Sequence, residues 1–311
     1  MDVDSIVNRL LPYVDETSLL RDEPLCAHTT FRIGGPCDLM IVPKTQQQIV
    51  DTVQTLRACK APFVILGNGS NVLVHDNGIR GCVIKLTNTG EEVVVDRAHA
   101  RVYAGAGETM MAIASRCARE GLAGLESASG IPGTLGGAIY MNAGAYGQEM
   151  KDVVYAVRVL TREGEVREIS HAQMHFGYRS SAAQQNGWMI LGATLQLAPD
   201  EPAAIAARIA DFTRRRREKQ PLMYASAGST FKRPEGHFAA KLIDDAGLKG
   251  VHVGDAEVST MHAGFIVNKG NATYADVMAL MQLVQRTVME KFGVQLLPEV
   301  RLLGETLPPQ E

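Results

Sequence analysis

Apolar positions along the chain recur in two rhythms that alternate. After Thr45, residues Ile49, Val53 and Leu56 fall at helical spacing, which predicts a helix capped by Thr45, and "APFVILG" follows as a short buried strand. "GIRGCVIKL", "EEVVVD" and "ARVYAGAG" read as further strands, and "TMMAIASRCAREG" as a helix closed by Gly121. "VYAVRVLTREGEVREIS" predicts a β-hairpin turning at Arg162, Glu163 and Gly164, and "WMILGATLQL" supplies another strand. A first α/β module therefore ends near residue 200. An alanine-rich helix is expected next, opening after Pro199 and Pro202 and stopped by Pro221. In the second module, Phe238, Leu242, Ile243 and Ala246 share a helical face with Gly247 as cap. Val277, Leu280, Met281, Val284 and Val288 line a longer helix that runs from Thr273 to Gly293. The methionines in that helix read as core filler.

Composition narrows the class. The chain has 311 residues, 46% hydrophobic and 21% charged, enough to bury two cores and too apolar for long disorder. A net charge of −3 gives no general attraction to nucleic acid, so any anion site must be local. No window reaches the roughly 18 apolar residues of a membrane span, and the acidic start lacks a signal-like apolar run. We expect a cytosolic monomer. Cys26, Cys37, Cys59, Cys82 and Cys117 are odd in number and form no CxxC pair, so they read as reduced thiols rather than as a disulfide framework or metal knuckle.

Chemistry concentrates in a few islands. "LGNGSNVLV" places Gly67, Asn68, Gly69, Ser70 and Asn71 between two strands, where consecutive backbone N–H groups can face a pyrophosphate; a tight Asn-Gly turn is the structural alternative. "SGIPGTLGG" offers a second glycine-rich turn about sixty residues on, open to the same two readings. The G-x-G-x-x-G fingerprint and the P-loop lysine pattern are both missing, which disfavours a doubly wound nicotinamide domain and a simple nucleotide hydrolase. "SAGSTFKRP" carries Ser229 outside any G-x-S-x-G elbow, and a polar turn is its plain reading. Glu299 lies among apolar residues in "LLPEVRLLG"; it has a chemical role or an ion pair, with Arg301 on the same strand face as a candidate partner. Arg179 in "FGYRSS" and the run "RRRR" at 214–217 have structural alternatives too, a loop anchor and a solvated helix end.

These islands, in this order, resemble the UDP-N-acetylenolpyruvoylglucosamine reductase (UDP-N-acetylmuramate dehydrogenase) family: "TTFRIGGPCDLMIVP", "LGNGSNVLV", "SGIPGTLGGAIYMNAGAYG", "GYRSS", "SAGSTFKRP", "GLKG", "HAGFIVNKGNAT" and "LLPEVRLLG". The short spacing between "GYRSS" and "SAGSTFKRP" is similar to the compact type II subgroup, and Asp255 stands where the family more often has glycine. The resemblance implies an α+β protein. Residues 1–200 would form an FAD-binding fold of the vanillyl-alcohol-oxidase/PCMH type in two α/β lobes, about 1–90 and 91–200. Residues 201–311 would form an α+β substrate-binding domain.

Leu66, Gly67, Asn68, Gly69, Ser70 and Asn71, with Ser129, Gly130, Ile131, Pro132, Gly133, Thr134 and Gly137, would bind FAD, and no metal is implied. The implied reaction is the NADPH-driven reduction of UDP-N-acetylglucosamine enolpyruvate to UDP-N-acetylmuramate, for peptidoglycan precursor synthesis. Hydride arrives at C3 from flavin N5 and a proton at C2 from Ser229, while Arg179 and Glu299 polarise the carboxylate. Arg214, Arg217, Tyr224, Lys232 and His262, chosen by nearness to the motifs, are candidates for the substrate's diphosphate, sugar or carboxylate. The rivals are another flavin oxidoreductase of this fold and a flavin or nucleotide-sugar binder without turnover.

Overall fold

The computed structural model describes residues 1–87 and 93–307. The first lobe contains α1 (Val3–Leu10), β1 (Leu19–Pro24), β2 (Pro36–Ile41), α2 (Gln46–Ala58), β3 (Phe63–Leu66), β4 (Val72–Val74) and β5 (Ile79–Lys85). Its sheet runs β1-β2-β5-β3, with β2 and β3 both parallel to β5 and β1 antiparallel at one edge. Thr45 caps α2 as the spacing predicts, its hydroxyl accepting from the Gln48 N–H at 3.2 Å. That orients Ile49, Val53 and Leu56 onto a core shared with Leu39, Ile41 and Ile84.

The second lobe holds β6 (Val94–Asp96), β7 (Arg101–Gly105), α3 (Met110–Arg119), α4 (Leu135–Tyr140), β8 (Val154–Leu160), β9 (Val166–Ser170), α5 (Ala182–Asn186) and β10 (Met189–Gln196). Its five strands form an antiparallel sheet in the order β9-β8-β10-β7-β6. Of the expected strand "EEVVVD", Glu91 and Glu92 lie outside the described residues. Gly164 turns the β8–β9 hairpin at φ +86°. Helices α3 and α4 pack Met110, Ile113, Leu135 and Ile139 against Val102, Val157 and Leu195 of this sheet. Leu160, Met189 and Leu191 belong instead to the core of the first lobe, so the two lobes share buried surface.

Helix α6 (Pro202–Lys219) begins at Pro202 itself, where a missing N–H costs nothing. Arg208 ties it to Glu126 of the second lobe at 2.7 Å. Beyond it, β11 (Ala225–Ser226), α7 (Ala239–Asp245), β12 (His252–Val253), β13 (Ala256–Val258), β14 (Ile266–Asn268) and α8 (Tyr274–Phe292) build a four-stranded antiparallel sheet, β11-β14-β13-β12, backed by two helices. Val277, Leu280, Met281, Val284 and Val288 are all buried there, and Phe31, Ile33 and Leu73 of the first lobe join the same core. Phe238 departs from the sequence expectation. It is 61% exposed because it sits at the extended N-cap of α7, outside the helical phase, with the Arg233 guanidinium 3.9 Å from its ring centroid. Asp255 holds the loop that follows β14, its carboxylate accepting the Asn271 N–H at 2.8 Å. The chain then returns to the first lobe, where β15 (Arg301–Leu303) pairs in parallel with β4.

One buried cation fixes the junction of these layers. Lys85, at the end of β5, donates from Nζ to the carbonyls of Gly67 at 2.6 Å and His28 at 3.3 Å. With no carboxylate beside it among the described residues, burial lowers its pKa to about 8. The folded state therefore releases this proton before the unfolded chain does, and the penalty of a buried ammonium is relieved as pH rises from about 8 toward the ordinary lysine value. Stability of the wild type should rise across that window relative to Lys85→Met, which lacks the group. Chemical denaturation of both proteins at several pH values checks this; parallel pH profiles would contradict it.

Candidate active site

Between β3 and β4 the chain turns through Gly67–Asn71 with Gly69 at φ +61°. Among the described residues no protein acceptor takes the amide N–H of Gly67, Asn68, Gly69, Ser70 or Asn71. Backbone donors rarely go without partners, and a run of them forms a cradle for an oxygen-rich ligand. The second glycine-rich stretch closes on this one. Asn68 Nδ2 donates to the Pro132 carbonyl at 3.0 Å, and Ser70 Oγ lies 3.4 Å from where a Cβ on Gly133 would stand. The amides of Gly130, Gly133 and Thr134 likewise meet no protein acceptor.

Space explains several of the glycines. A Cβ on Gly67 would stand 2.4 Å from Thr134 Oγ1, one on Gly69 2.4 Å from the His28 carbonyl, and one on Gly130 2.4 Å from Arg216 Nη1. Protein fills these sites, so the glycines let the loops approach one another. At Gly133 and Gly137 the nearest atoms lie at 3.4 Å or more, and bare backbone there leaves room on the open side.

The polar residues of the C-terminal segments lie against the first of these loops. Arg179 occupies the left-handed region at φ +54°, in a tight turn where Gly177 and Ser180 exchange backbone hydrogen bonds. Its Nε donates to Glu299 Oε1 at 2.6 Å, and its Nη1 lies 3.9 Å from Glu149 Oε1. The Arg179 and Glu299 side chains are only 17% and 14% exposed, so water screens this pair far less than a surface ion pair. The Glu299 N–H donates to the Thr230 carbonyl at 2.8 Å, and Asn71 Nδ2 donates to the Glu299 carbonyl at 3.3 Å. Ser229, next to Thr230, is exposed, and among the described residues its hydroxyl has no hydrogen-bond partner. Thr30 completes the link. Its N–H donates to the Gly69 carbonyl and its carbonyl accepts from Ser226 N–H, both at 3.2 Å, while its hydroxyl donates to the Ser226 carbonyl at 2.7 Å.

The pairing of Glu299 with Arg301, one of two readings of the sequence, does not occur. Glu299 pairs with Arg179, and the Arg301 guanidinium stands 5.2 Å from the Tyr140 ring centroid. Lys232 continues the pairing of Thr230 with Glu299, its N–H donating to the Leu297 carbonyl at 2.8 Å. His262 adjoins it: Thr230 N–H donates to Gly264, whose own N–H donates to His262 Nδ1 at 3.1 Å. Burial lowers the His262 pKa, favouring the neutral ring. Tyr224 carries the Lys269 ammonium 4.0 Å above its ring. Arg217 is exposed, and Arg214 pairs with Asp211 and Glu218 of its own helix in solvent. Among the described residues no group of His, Cys, Asp and Glu side chains could hold a metal, and no helix is long and apolar enough to cross a membrane.

Sequence reading missed Thr30, Lys85, Asn142, Glu149 and Arg216. Asn142 is fully buried at φ +41°; its Nδ2 donates to the Gly177 carbonyl at 2.9 Å and to Glu149 Oε2 at 3.1 Å, and its Oδ1 accepts from Lys151 N–H at 2.9 Å. It thus supports both the Arg179 turn and the carboxylate behind it. Its place in "YMNAGAYG", within the longest glycine-rich island, was the available signal.

Residues 37–170 match the family model of an FAD binding domain. The two lobes define a flavoprotein of the vanillyl-alcohol-oxidase/PCMH fold, and an alkyldihydroxyacetonephosphate synthase structure shares that fold alone, with a TM-score of 0.50 at 17% identity over 63% of this chain and 40% of its own. Residues 220–303 match the model of the UDP-N-acetylenolpyruvoylglucosamine reductase C-terminal domain. The reductase of Caldanaerobacter subterraneus subsp. tengcongensis is 47% identical over 96% of this chain and 98% of its own. The crystal structure of UDP-N-acetylenolpyruvylglucosamine reductase from Thermus caldophilus superposes with a TM-score of 0.77 at 35% identity, covering 92% of this chain and 98% of that one. The chain belongs to the UDP-N-acetylenolpyruvoylglucosamine reductase family and is an oxidoreductase with an FAD-binding domain.

Replacing Asn142 by alanine removes three hydrogen bonds and strands buried partners. We expect a loss of about 2–4 kcal/mol in stability, read by urea denaturation, and a fall in turnover as the Arg179 turn loosens. Wild-type stability in Asn142→Ala would contradict the role given to this side chain.

Proposed function

We propose that this chain reduces UDP-N-acetylglucosamine enolpyruvate to UDP-N-acetylmuramate at the expense of NADPH, in the cytosol and for peptidoglycan precursor synthesis. Residues 1–200 hold the flavin and residues 201–311 the nucleotide sugar. The observation that carries this reading is the direct link from the amide-lined loop to the acid–base groups: Asn71 hydrogen-bonds Glu299, and Thr30 joins Gly69 to the Ser226–Ser229 segment. FAD fits the loops because their bare amides suit its pyrophosphate and carbonyl oxygens, and because Gly133 and Gly137 leave room beside the backbone. When bound, it supplies the hydride chemistry between NADPH and C3 of the enolpyruvyl group.

The chain's own residues manage the charge. Hydride addition at C3 leaves negative charge on C2 and its carboxylate, and Arg179 is the cation placed to receive it. Arg179 already faces Glu299 at 2.6 Å and Glu149 at 3.9 Å. A third carboxylate, from the substrate, would be repelled by a bare Glu299 anion, so the polarising role asks for a proton or a shared hydrogen bond between the two carboxyl groups, with Glu149 as counter-charge behind the guanidinium. Ser229 gives its proton to C2. A hydroxyl is a weak acid, and it serves because the developing carbanion is strongly basic and, among the described residues, the exposed hydroxyl has no protein partner.

Anaerobic NADPH should bleach the flavin of purified protein, and only the enolpyruvyl nucleotide should restore the colour. In Ser229→Ala the bleaching should persist while recolouring slows by about 10² to 10⁴. Reoxidation at the wild-type rate would remove Ser229 from the proton step, and failure of NADPH to bleach the wild type would overturn the whole scheme.

A further inference from the structure

The stretch 149–152 carries charges that the reaction does not use directly. Glu149 opens a single 3-10 turn, Met150–Asp152, where its carboxylate accepts the Asp152 N–H and the Asp152 carboxylate accepts the Glu149 N–H at 2.8 Å. Asn142 Nδ2 donates to Glu149 Oε2 at 3.1 Å, and Asn142 Oδ1 accepts the Lys151 N–H at 2.9 Å. The local fold therefore requires Glu149. Its charge nevertheless stands beside Arg179, with Oε1 3.9 Å from Nη1 and the Glu149 side chain only 22% exposed.

Lys151 answers that charge. Its Nζ lies 2.8 Å from Oε2, the other oxygen of the same carboxylate. The hydrogen bond to Glu149, with the charges of Glu149 and Asp152, raises the Lys151 pKa, so the ammonium stays charged at neutral pH. Asp152 is exposed, where water screens it.

With Lys151 and Asn142 both on Oε2, the Glu149 carboxylate is held beyond hydrogen-bonding distance of Arg179 Nη1. Arg179 commits one donor, Nε, to Glu299, and among the described residues neither of its terminal nitrogens meets an acceptor. Those nitrogens can offer a carboxylate two parallel N–H bonds. The charges point the same way. Arg179 and Glu149 alone form a neutral pair with little hold on a substrate carboxylate, and Lys151 returns the net positive charge once Glu299 holds or shares a proton.

We infer that Lys151 is a positioning residue: by holding the Glu149 carboxylate and offsetting its charge, it keeps Glu149 from closing on Arg179 and leaves the guanidinium to the substrate's carboxylate. Lys151 acts through Glu149 and Arg179, and its role rests on the reaction proposed above.

The test compares wild type, Lys151→Met, and Lys151→Met combined with Glu149→Gln, each as FAD-loaded enzyme, by anaerobic rapid mixing. Glutamine keeps an oxygen for Asn142 and the Asp152 N–H but carries no charge. In Lys151→Met, reoxidation of reduced flavin by sub-saturating enolpyruvyl nucleotide should slow about 3- to 10-fold, since Glu149 is free to take Nη1. Flavin reduction at saturating NADPH should keep its wild-type rate, because no substrate carboxylate meets Arg179 in that step. Removing the Glu149 charge as well should restore reoxidation to within about twofold of wild type. Lys151→Arg, which keeps the charge, should lose less than Lys151→Met. Inhibition by UDP-N-acetylglucosamine, the same nucleotide sugar without the carboxylate, should be equal in wild type and Lys151→Met.

Wild-type reoxidation in Lys151→Met would overturn the inference. So would a loss that Glu149→Gln fails to restore, or equal slowing of both half-reactions, either of which marks a structural lysine. Weaker inhibition by UDP-N-acetylglucosamine in step with the loss would overturn it too, marking general attraction of anions instead. A wild type that the enolpyruvyl nucleotide does not reoxidise would sink the reaction reading itself.

Discussion

Everything in this site depends on a few hydrogen bonds that join one loop of the first lobe to two segments of the C-terminal module. Gly69 receives the Thr30 amide, Thr30 grips Ser226 in both directions, and Asn71 reaches Glu299. In the proposed reaction a hydride donor and a proton donor must meet the same double bond within fractions of an ångström, and misplacement by one ångström costs orders of magnitude in rate. Two modules connected only by a flexible linker could not hold that tolerance. Here the shared core around Phe31, Ile33 and Leu73, and the pairing of β15 with β4, make the linkage rigid.

Among the described residues the same loop leaves a row of amides without protein partners, which a fold accepts when another part of the structure holds the backbone open. Lys85 supplies that support from below by drawing the Gly67 and His28 carbonyls to one ammonium. Close packing supplies it from the sides, because Thr134 and His28 fill the space that side chains at positions 67 and 69 would need. The glycines are thus required by the contact between loops as well as by any ligand. Around Arg179, two carboxylates and a tyrosine face set the cation's position, and buried Asn142 holds the turn beneath it.

Much of this was legible in the sequence because it is local. The Thr45 and Thr273 caps, the Gly293 stop, the hairpin at Gly164 and the apolar stripes of α2 and α8 all follow from neighbours a few residues apart. The glycine islands and the Arg179, Ser229 and Glu299 motifs were legible as candidates from composition and from family resemblance. What sequence spacing hid was partnership across the chain. Spacing alone would put Glu299 on a strand face with Arg301, but the strand begins only at Arg301 and Glu299 binds Arg179, 120 residues away. Thr30 and Ser226, 196 residues apart, look unrelated until the backbone brings them together. Phe238 matches the helical spacing in the sequence, but the helix begins only after it. The inward turn of Arg216 against Gly130 was readable in principle, since counting from Ile205 picks it from its run, but a string of arginines at a helix end has so ready an explanation in the dipole that phase was overlooked.

The most direct measurement of the coupling between the loop and the segment proposed to hold the proton donor is rapid-mixing kinetics on Thr30→Val, which keeps the side chain's shape and removes the 2.7 Å bond to Ser226. The linkage predicts that flavin reduction by NADPH stays at the wild-type rate while reoxidation by the enolpyruvyl nucleotide slows about tenfold, because only the second step needs both modules in register. Equal rates in both half-reactions, or equal slowing of the two, would show that the hydrogen bonds through Thr30 do not set the geometry of proton delivery.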